Sequence, residues 1–235
     1  MPKVTIIDYQ LKQREVVDRI EEGVNDGCLN FSTISPVENY EDDPRTCLTS
    51  VHLPRQSLLK QVQQSIIKPL SRIEPDFYYY PPDSLHMTIK NIRVSNDPPQ
   101  FNEKDIRKAE KIFSEIIPNK KQFNVYFYRL LLFPNNLALI GTTDPELDNI
   151  ILDLDKALEA QGIPDDKVYI NSQYFFSNMT LARFNTPPSK KFKEKVNQLS
   201  AGLNFKPYRV DSVTLLTCNP VFKNRQIKKT WHLLF

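Results

Sequence analysis

The stretch "DSLHMTIKNI", residues 83–92, sets a histidine two positions ahead of a threonine in a run that is otherwise strand-like and apolar. Alternate side chains of an extended strand share a face. His86 and Thr88 therefore point one way, while Met87 and Ile89 point the other, toward a core. The chain has three histidines in all. An imidazole and a hydroxyl side by side on one strand face can move a proton and hold an anion.

A second stretch repeats the pattern. "SNMTLARF" (177–184) reads polar-Met-Thr-aliphatic, as does "LHMTIKNI" (85–92). Each follows an aromatic cluster, Phe77 to Tyr80 in one and Tyr174 to Phe176 in the other. Each also lies downstream of a helix opened near a proline, 32 residues from Pro54 to His86 and 33 from Pro145 to Asn178. Matching letters in matching context imply a duplicated lobe. If the lobes face each other, His86, Thr88, Asn178 and Thr180 meet across one cleft, a set that suits a tetrahedral anion.

Elements follow from periodicity outward from these two strands. Helical spacing of apolar residues predicts helices over 9–24, from about Arg55, over 102–117, from Asp144-Pro145 and over "TPPSKKFKEKVNQL", closing at Gly202. Asp144 followed by Pro145 reads as a capping side chain with proline in the first turn. Strands are expected at "CLTSVHLP", "FNVYFYRLLLF", "LALIGTT", "INSQYFFSNMTLARF", "YRVDSVTLLT" and "KKTWHLLF". Several strand pairs are joined too briefly for parallel crossovers. The expected fold class is α+β, a duplicated two-lobed arrangement with mainly antiparallel sheets lining a central cleft and helices outside. Residues 1–45 read as an acidic extension of helix plus loop, and 46–235 as the domain of two pseudo-repeated lobes.

Composition excludes several function classes. With 40% hydrophobic and 25% charged residues the chain is ordinary for a soluble globular protein, and no run reaches the ~18 apolar residues of a membrane span. The first residues turn charged too early for a secretory signal. Cys28, Cys47 and Cys218 show no metal-ligand spacing and read as free thiols, so a cytoplasmic location without a membrane partner is expected. Only five glycines occur, none clustered, which excludes a Walker loop or a dinucleotide-binding turn. Phosphate, if handled, is handled by side chains. Residues 1–50 carry 5 Lys/Arg against 10 Asp/Glu, and the last 47 carry 10 against 2. The basic end is either a landing surface for a polyanion or a solvated lysine-rich face.

With these two strands in view the sequence resembles the 2H phosphoesterase superfamily, which contains bacterial 2′–5′ RNA ligases and cyclic nucleotide phosphodiesterases. "HMT" at 86–88 matches the first His-x-Thr motif of that family; "NMT" at 178–180 matches the second except at its leading residue. The likeness covers roughly 46–235. It implies a site that needs no metal or cofactor, in which His86 is an acid/base residue and Thr88 and Thr180 hold phosphate oxygens. The implied partner is a nucleotide or RNA end with a cyclic or 2′-linked phosphate.

Asn178 departs from the pattern. An amide does not titrate, but its NH2 group still donates to a phosphate oxygen. Loss of one acid/base partner costs ~10²–10⁴-fold in rate, or roughly 3–5 kcal/mol of barrier. Three readings stay open: a weakly hydrolysing cyclic phosphodiesterase, an inactive nucleotide or RNA-end binding module, and a protein-interaction scaffold. Further cleft contacts are expected from Lys90, Tyr80 and His232. Lys90 is either a positive charge at the cleft rim or a snorkelling surface lysine. Tyr80, with its aromatic neighbours, either stacks a nucleobase or packs in the core. His232, like His52, is either catalytic or a strand histidine bonded to backbone or water.

Overall fold

The computed structural model describes residues 6–28, 33–169 and 171–235. Two antiparallel sheets carry the described strands. The first contains β1 (Thr46–His52), β3 (Met87–Asn96), β8 (Ser212–Cys218) and β9 (Gln226–His232), in the order β3-β1-β8-β9. The second contains β2 (Tyr78–Tyr79), β4 (Phe123–Leu132), β5 (Asn136–Thr143), β6 (Ser177–Arg183) and β7 (Tyr208–Val210), in the order β2-β6-β5-β4-β7. The α+β reading with antiparallel sheets holds. Each sheet nonetheless draws on both halves of the chain. The expected single strand "YRVDSVTLLT" splits at Asp211, sending β7 to one sheet and β8 to the other.

Helices form where the spacing placed them. α1 (Ile6–Asn25) buries Val16, Val17 and Ile20. α2 (Gln56–Val62) continues through a wide π-type turn, residues 63–67, into α3 (Lys68–Ser71). Pro69 explains that turn, since it has no N–H to give to the carbonyl one turn earlier. α4 (Glu103–Ile116) opens on a reciprocal cap between Asn102 and Asp105, and α6 (Lys190–Ala201) on the Ser189 hydroxyl.

The expected cap of α5 (Glu146–Ala160) does not form. The Asp144 carboxylate turns instead to β4, where it accepts from Asn124 N at 2.8 Å, Asn124 Nδ2 at 2.9 Å and Tyr126 Oη at 3.1 Å. Three donors outbid the helix amides for one carboxylate. The strand expected over 170–184 is shorter too, with only Ser177–Arg183 paired; Ile170 lies outside the described residues, as do residues 29–32 of the expected loop.

Met87, Ile89, Met179 and Leu181 are buried in the main core, as alternation along the two strands requires. α4 packs on α5 and touches β9, α5 reaches β3, and α6 lies against β4 and α3. α1 is different. Val16, Val17 and Ile20 form a separate apolar cluster with Leu131, Ala138 and Ile140 of β4 and β5. Among the described residues no helix is long and apolar enough to cross a membrane.

Candidate functional site

Cα atoms of β3 and β6 come within 8 Å of each other, and a cleft of about 630 Å³ opens where the two sheets meet. His86, Thr88, Asn178 and Thr180 all line it. Among the described residues, the side chains of Thr88, Asn178 and Thr180 take no hydrogen-bond partner, and so are available to a ligand.

Both strands carry a bulge one residue after the threonine. In β3, Thr88 pairs with Val51 and Lys90 with Ser50, leaving Ile89 as the extra residue. In β6, Thr180 pairs with Ala138 and Ala182 with Leu137, leaving Leu181 extra. A bulge shifts the in-out alternation by one. The next polar residues lining the cleft are thus Asn91 and Arg183, each three positions beyond its threonine. The duplication includes this irregularity.

The bulge also decides Lys90. It does not stand at the cleft rim, nor does it snorkel. Its side chain is about 1% exposed, and its ammonium pairs with Asp155 at 2.5 Å and with Asp165, over the ring of Tyr169. Simple alternation placed it beside Thr88, and the extra residue turned it to the other face.

Arg183 is buried in the cleft wall. Its Nε donates to Tyr80 Oη at 2.9 Å and its Nη2 reaches the Pro220 carbonyl at 3.4 Å. No carboxylate partners it among the described residues. A buried cation without a counter-charge is costly, and it makes this end of the cleft attractive to an anion. Tyr80 is itself buried, and its hydroxyl donates to Pro220 O at 2.9 Å while accepting from Arg183.

His86 Nδ1 lies 2.8 Å from the Ser84 carbonyl. A carbonyl only accepts, so Nδ1 carries the proton and Nε2 keeps its lone pair. Burial, reinforced by the positive charges of Arg183 and Arg225, pushes the imidazole pKa down to about 4, against the opposing pull of the Ser84 carbonyl. The ring is neutral at pH 7, so its Nε2 lone pair is available to accept a proton, though a pKa this far below neutral makes it a weak base. Phe222 stacks on it, the ring centroids 4.0 Å apart.

The remaining histidines are elsewhere. His52 is buried in β1, donating from Nδ1 to Ser212 O at 2.9 Å and accepting at Nε2 from Tyr208 Oη at 3.0 Å. His232 is exposed on β9, the edge strand farthest from β3 in its sheet, and does not line the cleft. Sequence reasoning overlooked Arg183, Asn91 and Phe222. The equal offset of Asn91 and Arg183 from the two threonines was a usable signal. Phe222 offered none, because a loop brings it in.

No family model matches the chain, and no curated protein matches it. Solved structures do. A protein described as a phosphoesterase superposes with a TM-score of 0.54 at 13% identity, over 81% of this chain and 99% of the other. E. coli LigT complexed with phosphate gives 0.53 at 13%, again over 81% and 99%. E. coli LigT complexed with 3′-AMP gives 0.51 at 13%, over 80% and 98%. The chain therefore has the two-lobed α+β fold of the LigT-type 2H phosphoesterases, the family that its paired threonine-bearing strands resemble.

Proposed function

We propose that the cleft binds a nucleotide or RNA end through a 2′,3′-cyclic, 3′- or 2′-linked phosphate, and that it hydrolyses such phosphodiesters slowly. The observation that carries this reading is the convergence of three polar side chains, Thr88, Asn178 and Thr180, with a buried Arg183, around a neutral His86; among the described residues the three have no hydrogen-bond partner and Arg183 has no carboxylate partner. Arg183 neutralises the anion, and the hydroxyls and amide donate to its non-bridging oxygens. The reading is supported by E. coli LigT, whose structures include complexes with phosphate and with 3′-AMP.

The chemistry is lopsided. His86 Nε2 takes a proton from water as its oxygen attacks phosphorus. One ester bond breaks, and the leaving ribose oxygen takes its proton from solvent water, since the amide of Asn178 has none to give. A second assigned acid is lacking, so binding outlasts turnover. Among the described residues no three His, Cys, Asp or Glu side chains are grouped to hold a metal ion, and the proposed roles use side chains alone.

Calorimetry with 3′-AMP and turnover of 2′,3′-cyclic nucleotides in EDTA test the reading. Expected are binding that is lost in the Thr88→Ala/Thr180→Ala double variant and slow turnover that disappears in His86→Ala. Binding without turnover favours the inactive module, a reading that Asn178 supports. Binding of neither ligand overturns the proposal in favour of a scaffold.

A further inference from the structure

We infer that Cys47 and Cys218 form a redox-active thiol pair in the cleft wall. A hydroperoxide entering the cleft oxidises Cys47, and Cys218 then closes a reversible disulfide at the start of the turn that carries Phe222. This chemistry is separate from the phosphate reading above and stands without it.

Cys47 and Cys218, 171 positions apart in the chain, are direct partners in the β1–β8 register, which runs from Cys47 to Val51 without a bulge. Directly paired residues share a face, and both cysteines line the cleft. Their sulfurs lie 3.3 Å apart. Paired antiparallel residues sit ~4.5–5.5 Å apart at Cα, inside the ~4.4–6.8 Å that a disulfide spans. Closing the bond therefore asks for rotation of two side chains and no shift of either strand. Cys28 stands apart, exposed just beyond α1.

The two thiols are unequal. Cys218 is buried and Cys47 only half-buried, so an oxidant arriving through the cleft meets Cys47 first. Neutral Cys47 donates to the Cys218 carbonyl at 3.3 Å; as a thiolate it accepts from the Cys218 thiol. That bond, with another from Ser95, holds the Cys47 pKa below its ordinary value against burial, and the same bond, with burial, raises that of Cys218. Lys167 also lines the cleft. Burial lowers its ammonium pKa, with Lys90 adding to the effect, while Asp165 and the Cys47 thiolate oppose it. A lowered thiol attacks and a raised one resolves.

The steps balance. The Cys47 thiolate attacks the hydroperoxide; an S–O bond forms, the O–O bond breaks, and the alcohol leaves with a proton from solvent. Cys47, oxidised by two electrons, is now a sulfenic acid. Cys218 Sγ attacks that sulfur; the S–S bond forms, the S–O bond breaks, and water leaves with the Cys218 proton.

Cys218 ends β8, and the turn that follows reaches the site. Pro220, two residues on, accepts from Tyr80 Oη at 2.9 Å and Arg183 Nη2 at 3.4 Å. Phe222, four residues on, lies on His86. A bond at Cys218 constrains the start of this turn, and the ring current of Phe222 on the imidazole registers it.

The test uses the full chain, reduced with dithiothreitol, desalted and treated with one equivalent of hydrogen peroxide. Intact mass is expected to fall by two hydrogens, with a Cys47–Cys218 cross-linked peptide, Cys28 still open to alkylation, and full reversal by dithiothreitol. The His86 imidazole signals are expected to move with the oxidation. In Cys218→Ser, Cys47 should stop at the sulfenic acid and be trapped by dimedone. In a Cys28→Ser background, Cys47→Ser should slow peroxide consumption by at least about tenfold. Oxidation confined to Cys28, with the pair still open to alkylation after unfolding, overturns the inference. So does a bond that dithiothreitol cannot open in the folded protein, since that is a permanent brace. A reversible disulfide that leaves the His86 signals unmoved overturns the link to the site.

Discussion

The ring of Phe222 lies on the imidazole of His86, centroids 4.0 Å apart and planes inclined by 20°. Phe222 reaches that position with φ at 67°, a left-handed backbone that a bulky residue adopts rarely. Its N–H donates to Asn219 O at 2.9 Å, and the Asn219 side chain accepts from Lys223 N at 2.8 Å and Asn224 N at 3.2 Å. The turn after β8 is thus held by a buried asparagine in the one shape that lays an aromatic ring on the histidine. Phe222 is a positioning residue for His86. It shields one face of the imidazole, which contributes to the desolvation that depresses the pKa.

Phe222→Ala is expected to raise the His86 pKa from about 4 toward the ordinary value of ~6.5, read by NMR titration of the imidazole. It also removes a buried ring, at about 3–5 kcal/mol. An unchanged pKa in a folded variant would show that the stack has no electrostatic role.

Stability should depend on pH through the same group. His86 is depressed in the folded chain to about 4, so as pH falls the unfolded chain takes up the proton first. The contribution is fully present above ~6.5, is lost progressively between ~6.5 and about 4, and amounts to roughly 3 kcal/mol. Urea denaturation at pH 7 and pH 4.5 reads it. His86→Gln, which cannot titrate, should lose less stability over that interval than the unsubstituted protein, and equal losses would contradict the assignment.

Asn178→His restores a titratable group opposite His86 and is expected to raise cyclic phosphodiester hydrolysis at least about tenfold. Nucleotide affinity should change little, since imidazole and amide both donate to an anion. A folded variant with no gain would mean that the two strands do not act on one phosphate.

The two cations that the bulges send in opposite directions should separate by phenotype. Arg183→Gln is expected to weaken 3′-AMP binding by about tenfold or more, the worth of a charge-assisted contact. Lys90→Met leaves Asp155 and Asp165 without their cation and should cost about 3 kcal/mol of stability with affinity unchanged. Calorimetry and denaturation, run on both variants, would reveal the reverse pattern if the phase of either strand were misread.

Much of the site was legible in the linear chain because it rests on local rules. Two-residue alternation placed His86 with Thr88 and Asn178 with Thr180, and the same alternation sent Met87 and Met179 inward. Helical spacing found the Val16, Val17 and Ile20 stripe of α1. What no local rule supplied was whatever a distant partner imposes. The extra residues Ile89 and Leu181 exist only relative to the strands they pair with, and these turned Lys90 away and brought Asn91 and Arg183 in. Asp144 left its helix for donors on β4, and Phe222 met His86 through a turn far along the chain. An amphipathic stripe also does not say which surface it will cover, so the docking of α1 beside the polar cleft was decided by the tertiary structure. The sequence by itself determined which faces are polar and which apolar, since that depends on neighbours a few residues away. Register, bulges and docking depend on contacts made across the fold, and only the tertiary structure decided them.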